Sequence, residues 1–167
     1  TAGSPAVTTN PATLVENTTV KLNGLVNAYS SSTTVTFEYG LTTGYGTTVT
    51  ASQSPLSGFQ ETAVSAEVTG LISGETYHFR VVASNAYGTA NGDDMAVTTS
   101  IKDKDGNNYS KVVIGTQVWM KENLKTTKFK DGSVIPNVTS DSEWGSINTS
   151  GFCWYDNDQA ANKNKYG

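Results

Sequence analysis

The sequence holds one cysteine, one histidine and one arginine, Cys153, His78 and Arg80, and each scarcity removes a class of function. A lone cysteine closes no disulfide within the chain, and with the one histidine in a different half no Cys/His nucleophilic pair is expected. Cys153 is therefore read as a buried apolar thiol. With no basic cluster and a net charge of −4, the chain offers a phosphate backbone little counter-charge, so no nucleic-acid partner is expected. No apolar run approaches the roughly 18 residues a membrane helix needs, and no signal-peptide pattern opens the chain. The expectation is a soluble chain without a membrane span, its export signal already removed if it is secreted. There is no Ser/His/Asp set, no glycine-rich phosphate loop and no His/Cys cluster at metal-ligand spacing, so neither an enzyme nor a cofactor is expected. Asp156 and Asp158 read as solvated turn residues rather than an acid/base pair.

What is abundant is Thr, Ser, Gly and Asn, with only 16% charged residues, a mixture suited to extended, turn-rich β-proteins. The two halves differ. Residues 1–100 carry Lys21 and Arg80 against seven acids, residues 101–167 nine lysines against eight, and Trp119, Trp144 and Trp154 all fall in the second half. A boundary near Thr99 to Lys102 follows, with domains at 1–99 and 100–167.

In the first half, short runs alternate apolar and polar residues at the strand period of two. Val20, Leu22 and Val26 share a face with Gly24. Val35, Phe37 and Tyr39 form a second face, Val64, Ala66 and Val68 a third, and Tyr77, Phe79, Val81 and Ala83 a fourth, with His78, Arg80 and Ser84 turned outward. NAYSSS, GLTTGYG, SPLSG, ISGE and NAYG between them supply turns. Short alternating strands with this punctuation predict an antiparallel β-sandwich, and LISGETY matches a tyrosine corner, in which a phenol bonds back to the chain. His78 and Arg80 could line a ligand strip, but outward polar residues are what a solvated strand face requires.

On LNGLVNA, VTFEYGLTTGYG, VTGLISGETYHFRVVASNAYGT and AVTT, residues from about Pro5 to Thr99 resemble a bacterial fibronectin type III domain. This half lacks the tryptophan of the animal form, so Leu22, Phe37, Tyr39, Tyr77 and Phe79 must fill the core, and it has no RGD tripeptide. The resemblance implies a spacer or adhesion module.

In the second half, Asp105-Gly106 and Gly115-Thr116 are turn signals that place QVWM as a strand of a tight β-meander. Val118 and Met120 alternate with Gln117 and Trp119, so both faces carry bulk and the strand is expected to be covered on both sides. Asp103, Asp105 and Asn107 are oxygen donors at alternate positions, but Gly106 falls before the third donor and the twelfth place is Ile114, which suits a turn and not a calcium loop. SDSEWGS reads as a loop.

DGNNYSKVVIGTQVWMKENLKTTKFKDG, IPNVTSDSEW and FCWYDNDQAANKNKYG together resemble the Fibrobacter succinogenes major paralogous domain. The resemblance implies the front part of a mostly β domain related to C-type-lectin-like and formylglycine-generating-enzyme-like folds, with Cys153 the partner of a cysteine further downstream. A unit of about 65 residues buries only some 60% of its unfolded surface, so this half is expected to lean on the first half, to pair with another copy, or to be completed by a further part of the domain. Trp144, Trp154 and Tyr155 are the candidate ligand-binding residues, because sugar faces stack on aromatic rings. Ordinary core is the competing reading, and the one favoured for Trp119 and Trp154. Four N-x-Ser/Thr triplets, at Asn17, Asn108, Asn137 and Asn148, matter only in a host that glycosylates them.

The fold class expected is all-β. The expected function is a non-enzymatic extracellular or cell-surface bacterial module, a spacer presenting a lectin-like domain for adhesion or glycan binding. Its expected partners are a glycan or cell-surface ligand and, through an exposed strand edge, a second copy. The alternatives are a self-assembling surface subunit completed by a neighbour, and a fragment of a formylglycine-generating-enzyme-like protein.

Overall fold

The chain is described from a computed structural model that covers residues 1–158 and 160–162, with Tyr155 described in its backbone alone. It divides into two compact units, Thr1–Ser100 and Ile101–Gly167.

Unit 1 is an antiparallel β-sandwich. One sheet has the order β1-β2-β5, from Ala6–Thr13, Val20–Asn27 and Glu61–Val68. The other runs β4-β3-β6-β7, from Thr47–Thr50, Thr34–Gly40, Thr76–Asn85 and Gly88–Asn91, and β8, Met95–Thr98, also pairs with β6. The alternation of the sequence sets the packing. In β2, Val20, Leu22, Gly24 and Val26 are buried while their neighbours are half-exposed, and Val35, Phe37, Phe79, Val81 and Ala83 are fully enclosed. The β3 and β6 side chains meet those of β2 and Val64, Ala66 and Val68 of β5, on the other sheet, in one core, the arrangement that two half-apolar sheets require.

Two devices hold the edges. Pro11 has no N–H to give to the ladder, and the β1–β2 register shifts between Asn10 and Thr13. Asn23 Nδ2 bridges the gap by donating to the Pro11 carbonyl at 2.9 Å and to Thr13 Oγ1 at 3.1 Å. On the far sheet, β7 and β8 are two parts of one edge along β6, separated at Gly92, whose N–H donates to the Val81 carbonyl at 2.9 Å. A Cβ on Gly92 would lie 2.3 Å from Thr9 Oγ1, so only glycine lets the edge cross β1 there.

The tyrosine corner is formed: Tyr77 Oη accepts from the Ile72 N–H at 3.0 Å. Tyr77→Phe leaves that amide without its partner and is expected to lower the stability of unit 1 by about 0.5–1.5 kcal/mol, measured by guanidinium unfolding. Thr99 ends the unit. It is buried, its N–H donates to the Glu75 carbonyl at 3.0 Å and its hydroxyl to the Ile72 carbonyl at 2.7 Å.

Unit 2 is built on a hairpin of β9, Lys111–Ile114, and β10, Gln117–Met120, joined at Gly115, whose φ of 63° is the left-handed value a tight hairpin turn needs. Glu122 closes its base, accepting from Ser110 N–H at 2.8 Å and from Ser110 Oγ at 2.9 Å. The expectation that β10 is covered on both faces is overturned: all four of its residues are exposed. SDSEWGS is also not a loop. Ser140 caps a short helix, α1, Asp141–Ser146, by accepting from the Glu143 N–H at 3.3 Å. Ser-x-x-Glu is a helix-start signal that the acidic first turn reinforces.

Candidate functional site

Two of the sequence candidates, Trp144 and Trp154, lie around the segment Pro136–Thr139 of unit 2. Val138 is buried and its N–H donates to the Phe152 carbonyl at 2.8 Å, while the Phe152 N–H donates to the Pro136 carbonyl at 3.0 Å. Trp144, on α1, donates its indole N–H to the Val138 carbonyl at 3.1 Å, which fixes the ring while leaving it 41% exposed. Trp154 is 4% exposed and meets the Phe152 ring edge-on at 5.4 Å between centroids. One half-open indole and one enclosed indole thus belong to the same small cluster. The side chain of Tyr155 lies outside the described residues. Trp119, read as core, is instead 54% exposed, and Cys153, read as a buried thiol, is exposed. Residue type alone misled in both cases: bulk and apolarity predict burial only where another element is present to cover them.

Val113, Ile114, Val118 and Met120 are exposed beside Trp119.

The DKDGNN stretch is a staple of hydrogen bonds. Asp103 accepts from the Asp105 and Asn107 N–H groups, each at 2.9 Å, from Asn107 Nδ2 at 2.7 Å, and from the Tyr109 hydroxyl. Gly106 makes the turn at φ 83°. Asp105 reaches the segment after the hairpin, accepting from the Thr127 N–H and, at 2.9 Å, from its hydroxyl, with Lys128 Nζ at 3.1 Å. Tyr109 completes the tie by accepting from the Lys125 N–H at 2.8 Å. Burial pushes the Asp103 carboxyl up, but the hydrogen bonds of Tyr109, Asn107 and Asp105 outweigh it and hold it below the usual carboxylate range. The Thr127 N–H holds Asp105 lower still, against partial burial and with help from Lys128. Burial and the Asp103 carboxylate push the Tyr109 phenol up to about 12. These oxygens are spent on N–H and O–H donors that a cation would have to displace. Among the described residues no group of three or more His, Cys, Asp or Glu is placed to hold a metal ion.

On unit 1, His78 and Arg80 face outward from β6 as expected. His78 Nδ1 lies 2.7 Å from Asp94 Oδ2, and Arg80 Nε donates to Glu38 Oε2 at 2.8 Å.

No family model matches the chain, and no curated protein does. Among solved structures it is similar to the sensor domain of the anti-sigma factor RsgI4 of Pseudobacteroides cellulosolvens. One form of that domain is 19% identical, with a TM-score of 0.45 over 57% of this chain and 93% of that one. A longer form is 21% identical, with a TM-score of 0.42 over 57% and 88%. The fibronectin type-III domain of human fibronectin type III domain containing protein 3 is 20% identical, with a TM-score of 0.39 over 59% and 88%. These scores are low, and the sandwich rests on its own strand order and core. The resemblance of residues 101–167 to the Fibrobacter succinogenes domain has no counterpart among these comparisons. Among the described residues no helix is long and apolar enough to cross a membrane.

Proposed function

We propose that the chain is a non-enzymatic module of a secreted or cell-surface bacterial protein, with unit 1 as spacer and unit 2 as a lectin-like unit carrying an adhesion surface that binds glycans. The observation that carries this reading is the exposure of indoles in unit 2. All three tryptophans lie in unit 2, and two of them, Trp119 and Trp144, are open to solvent there. Exposing two indoles is costly for a small unit unless a ligand uses them. Trp144 is the contact residue, held in orientation by its bond to Val138, and the enclosed Trp154 packs on Phe152. A glycan array probed with the full chain is expected to give specific hits that Trp144→Ala weakens by about tenfold or more, the effect of losing one stacking ring. Uniformly blank arrays, or hits insensitive to Trp144→Ala, would sink the reading.

A second reading has its own observation. Among the described residues β9 and β10 pair only with each other, and the exposed apolar side chains of Val113, Ile114 and Val118 suit strand addition by a second copy. Assembly of this kind would make the chain a structural subunit. It predicts a sedimentation coefficient that rises with concentration and stops rising in Val118→Lys.

A further inference from the structure

The outward face of the β3–β6 sheet carries a polar pocket of about 400 Å³, roofed by the turn from β3 into β4 and lined by Glu38, Thr43, Tyr45, Thr47, Thr48 and Arg80. The register builds it. Glu38 pairs with Arg80 on β6 and with Thr48 on β4, so carboxylate, guanidinium and hydroxyl stand in one row across three strands. The roof is held close by two features. Gly40 lies under it, where a Cβ would sit 1.8 Å from the Tyr45 carbonyl oxygen, so no other residue lets the turn fold back this far. Tyr45 itself adopts φ 54°, a left-handed conformation that a bulky side chain rarely takes, and such strain collects where a side chain must be aimed.

Tyr45 is aimed at Arg80. The guanidinium carbon lies 4.9 Å from the ring centroid, and the phenol hydroxyl donates to Asp94 Oδ1 at 3.0 Å, with His78 on the other oxygen of Asp94. Arg80 is thus gripped by a ring and a carboxylate. Its Nε and Nη2 both contact Glu38 Oε2 at 2.8 Å, which leaves Arg80 Nη1, Glu38 Oε1 and the hydroxyls of Thr43, Thr47 and Thr48 without a hydrogen-bond partner among the described residues.

We infer that this pocket is a binding site for a neutral saccharide. The lining decides the class. Glu38 and Arg80 cancel in charge, so a cation meets the guanidinium and an anion the carboxylate, and neither gains net attraction. A sugar hydroxyl donates and accepts at once, so neighbouring hydroxyls can give to Glu38 Oε1 and take from Arg80 Nη1 in one pose, with threonine hydroxyls completing the set. The orientation of the polar groups is fixed before any ligand arrives, because the ion pair, the ring stack and the Asp94 bonds already hold them. This goes beyond the function proposed above, which gives unit 1 no ligand.

The test is a 1H–15N titration of the full chain with methyl β-glucoside, methyl β-galactoside, methyl α-mannoside and cellobiose, with sodium glucuronate and glucosamine hydrochloride as charged counterparts. At least one neutral saccharide is expected to shift the amides of residues 43–48, and the charged counterparts to bind no tighter. Arg80→Ala and Thr48→Val are each expected to weaken that binding by about tenfold, the loss of one hydrogen bond to the ligand. Thr48→Val keeps the ion pair and the roof, so it answers even if Arg80→Ala loosens the sheet. The inference is overturned if no neutral saccharide moves residues 43–48, if a charged counterpart binds tighter, or if Thr48→Val leaves the affinity unchanged. Its failure is separable from that of the unit 2 reading, which is read on the indole signals of the tryptophans and not on these amides.

Discussion

Phe37→Ala is expected to lower the unfolding free energy of unit 1 by about 3–5 kcal/mol. The side chain is fully enclosed at the middle of β3, between Val49 and Val81 on the neighbouring strands and facing the apolar side chains of the other sheet. Removing the ring loses its transfer energy and leaves a cavity that strands on both sides hold open. A domain of this size has roughly 5–15 kcal/mol to lose, and each kcal/mol moves its Tm by about 4–8 °C, so the midpoint should fall by more than about 12 °C. The control is Thr36→Ala, one residue away on the opposite face, which should stay within about 0.5 kcal/mol. Guanidinium unfolding followed by far-ultraviolet circular dichroism measures both. Equal effects of the two substitutions would contradict the inward and outward assignment of β3.

The second large effect belongs to the carboxylate staple of unit 2. Asp105→Asn keeps the shape of the side chain but turns an amide donor toward either Lys128 or Thr127, both of which donate to the native carboxylate. Amide exchange at Thr127 should accelerate by about tenfold or more, the equivalent of one charge-assisted hydrogen bond, and Lys125 should follow because Tyr109 ties the same segment. The pH dependence has a definite sign. Asp103, Asp105, Glu122 and Asp131 are all held below their ordinary values by the bonds they accept. Their contribution is complete above the unfolded carboxylate range near pH 4 and is lost as pH falls through the lower folded values. Tyr109 runs the other way: its contribution is complete below the unfolded phenol value near 10 and is lost as pH rises through about 12. Unit 2 should therefore be flat in stability between about pH 5 and 9 and fail at both ends. Exchange of the Thr127 amide, corrected for intrinsic rate, reads the acid end directly. Unchanged protection at pH 2 would remove the staple from the account.

The strands that could be read from the sequence are those with a buried face of their own. β2, β3, β5 and β6 each alternate over at least seven residues, and their inward positions follow the alternation. β4, β7 and β8 are four-residue edge strands with little apolar pattern, and β1 carries Pro11, so pairing with a neighbour creates them more than their own sequence does. Within unit 2, the turn at Gly115 was legible and the cover on β10 was not. Alternation reveals which side chains share a face, and it is silent on whether another element lies over that face. The capping pattern Ser140-x-x-Glu143 was a readable signal for α1, obscured by a run of Ser, Asp and Gly that also suits a loop. The pocket on unit 1 depends on the pairing of residues 42 apart in sequence, so Glu38 and Arg80 meet only once the β3–β6 register is known.

All three tryptophans lie in unit 2, so the three indole N–H signals of a single 1H–15N spectrum report on the proposed adhesion surface without interference from unit 1. With the strongest glycan from the array added to saturation, the Trp144 indole is expected to shift while that of the enclosed Trp154 stays in place. A saturated complex in which the Trp144 signal does not move would contradict the assignment of glycan binding to unit 2.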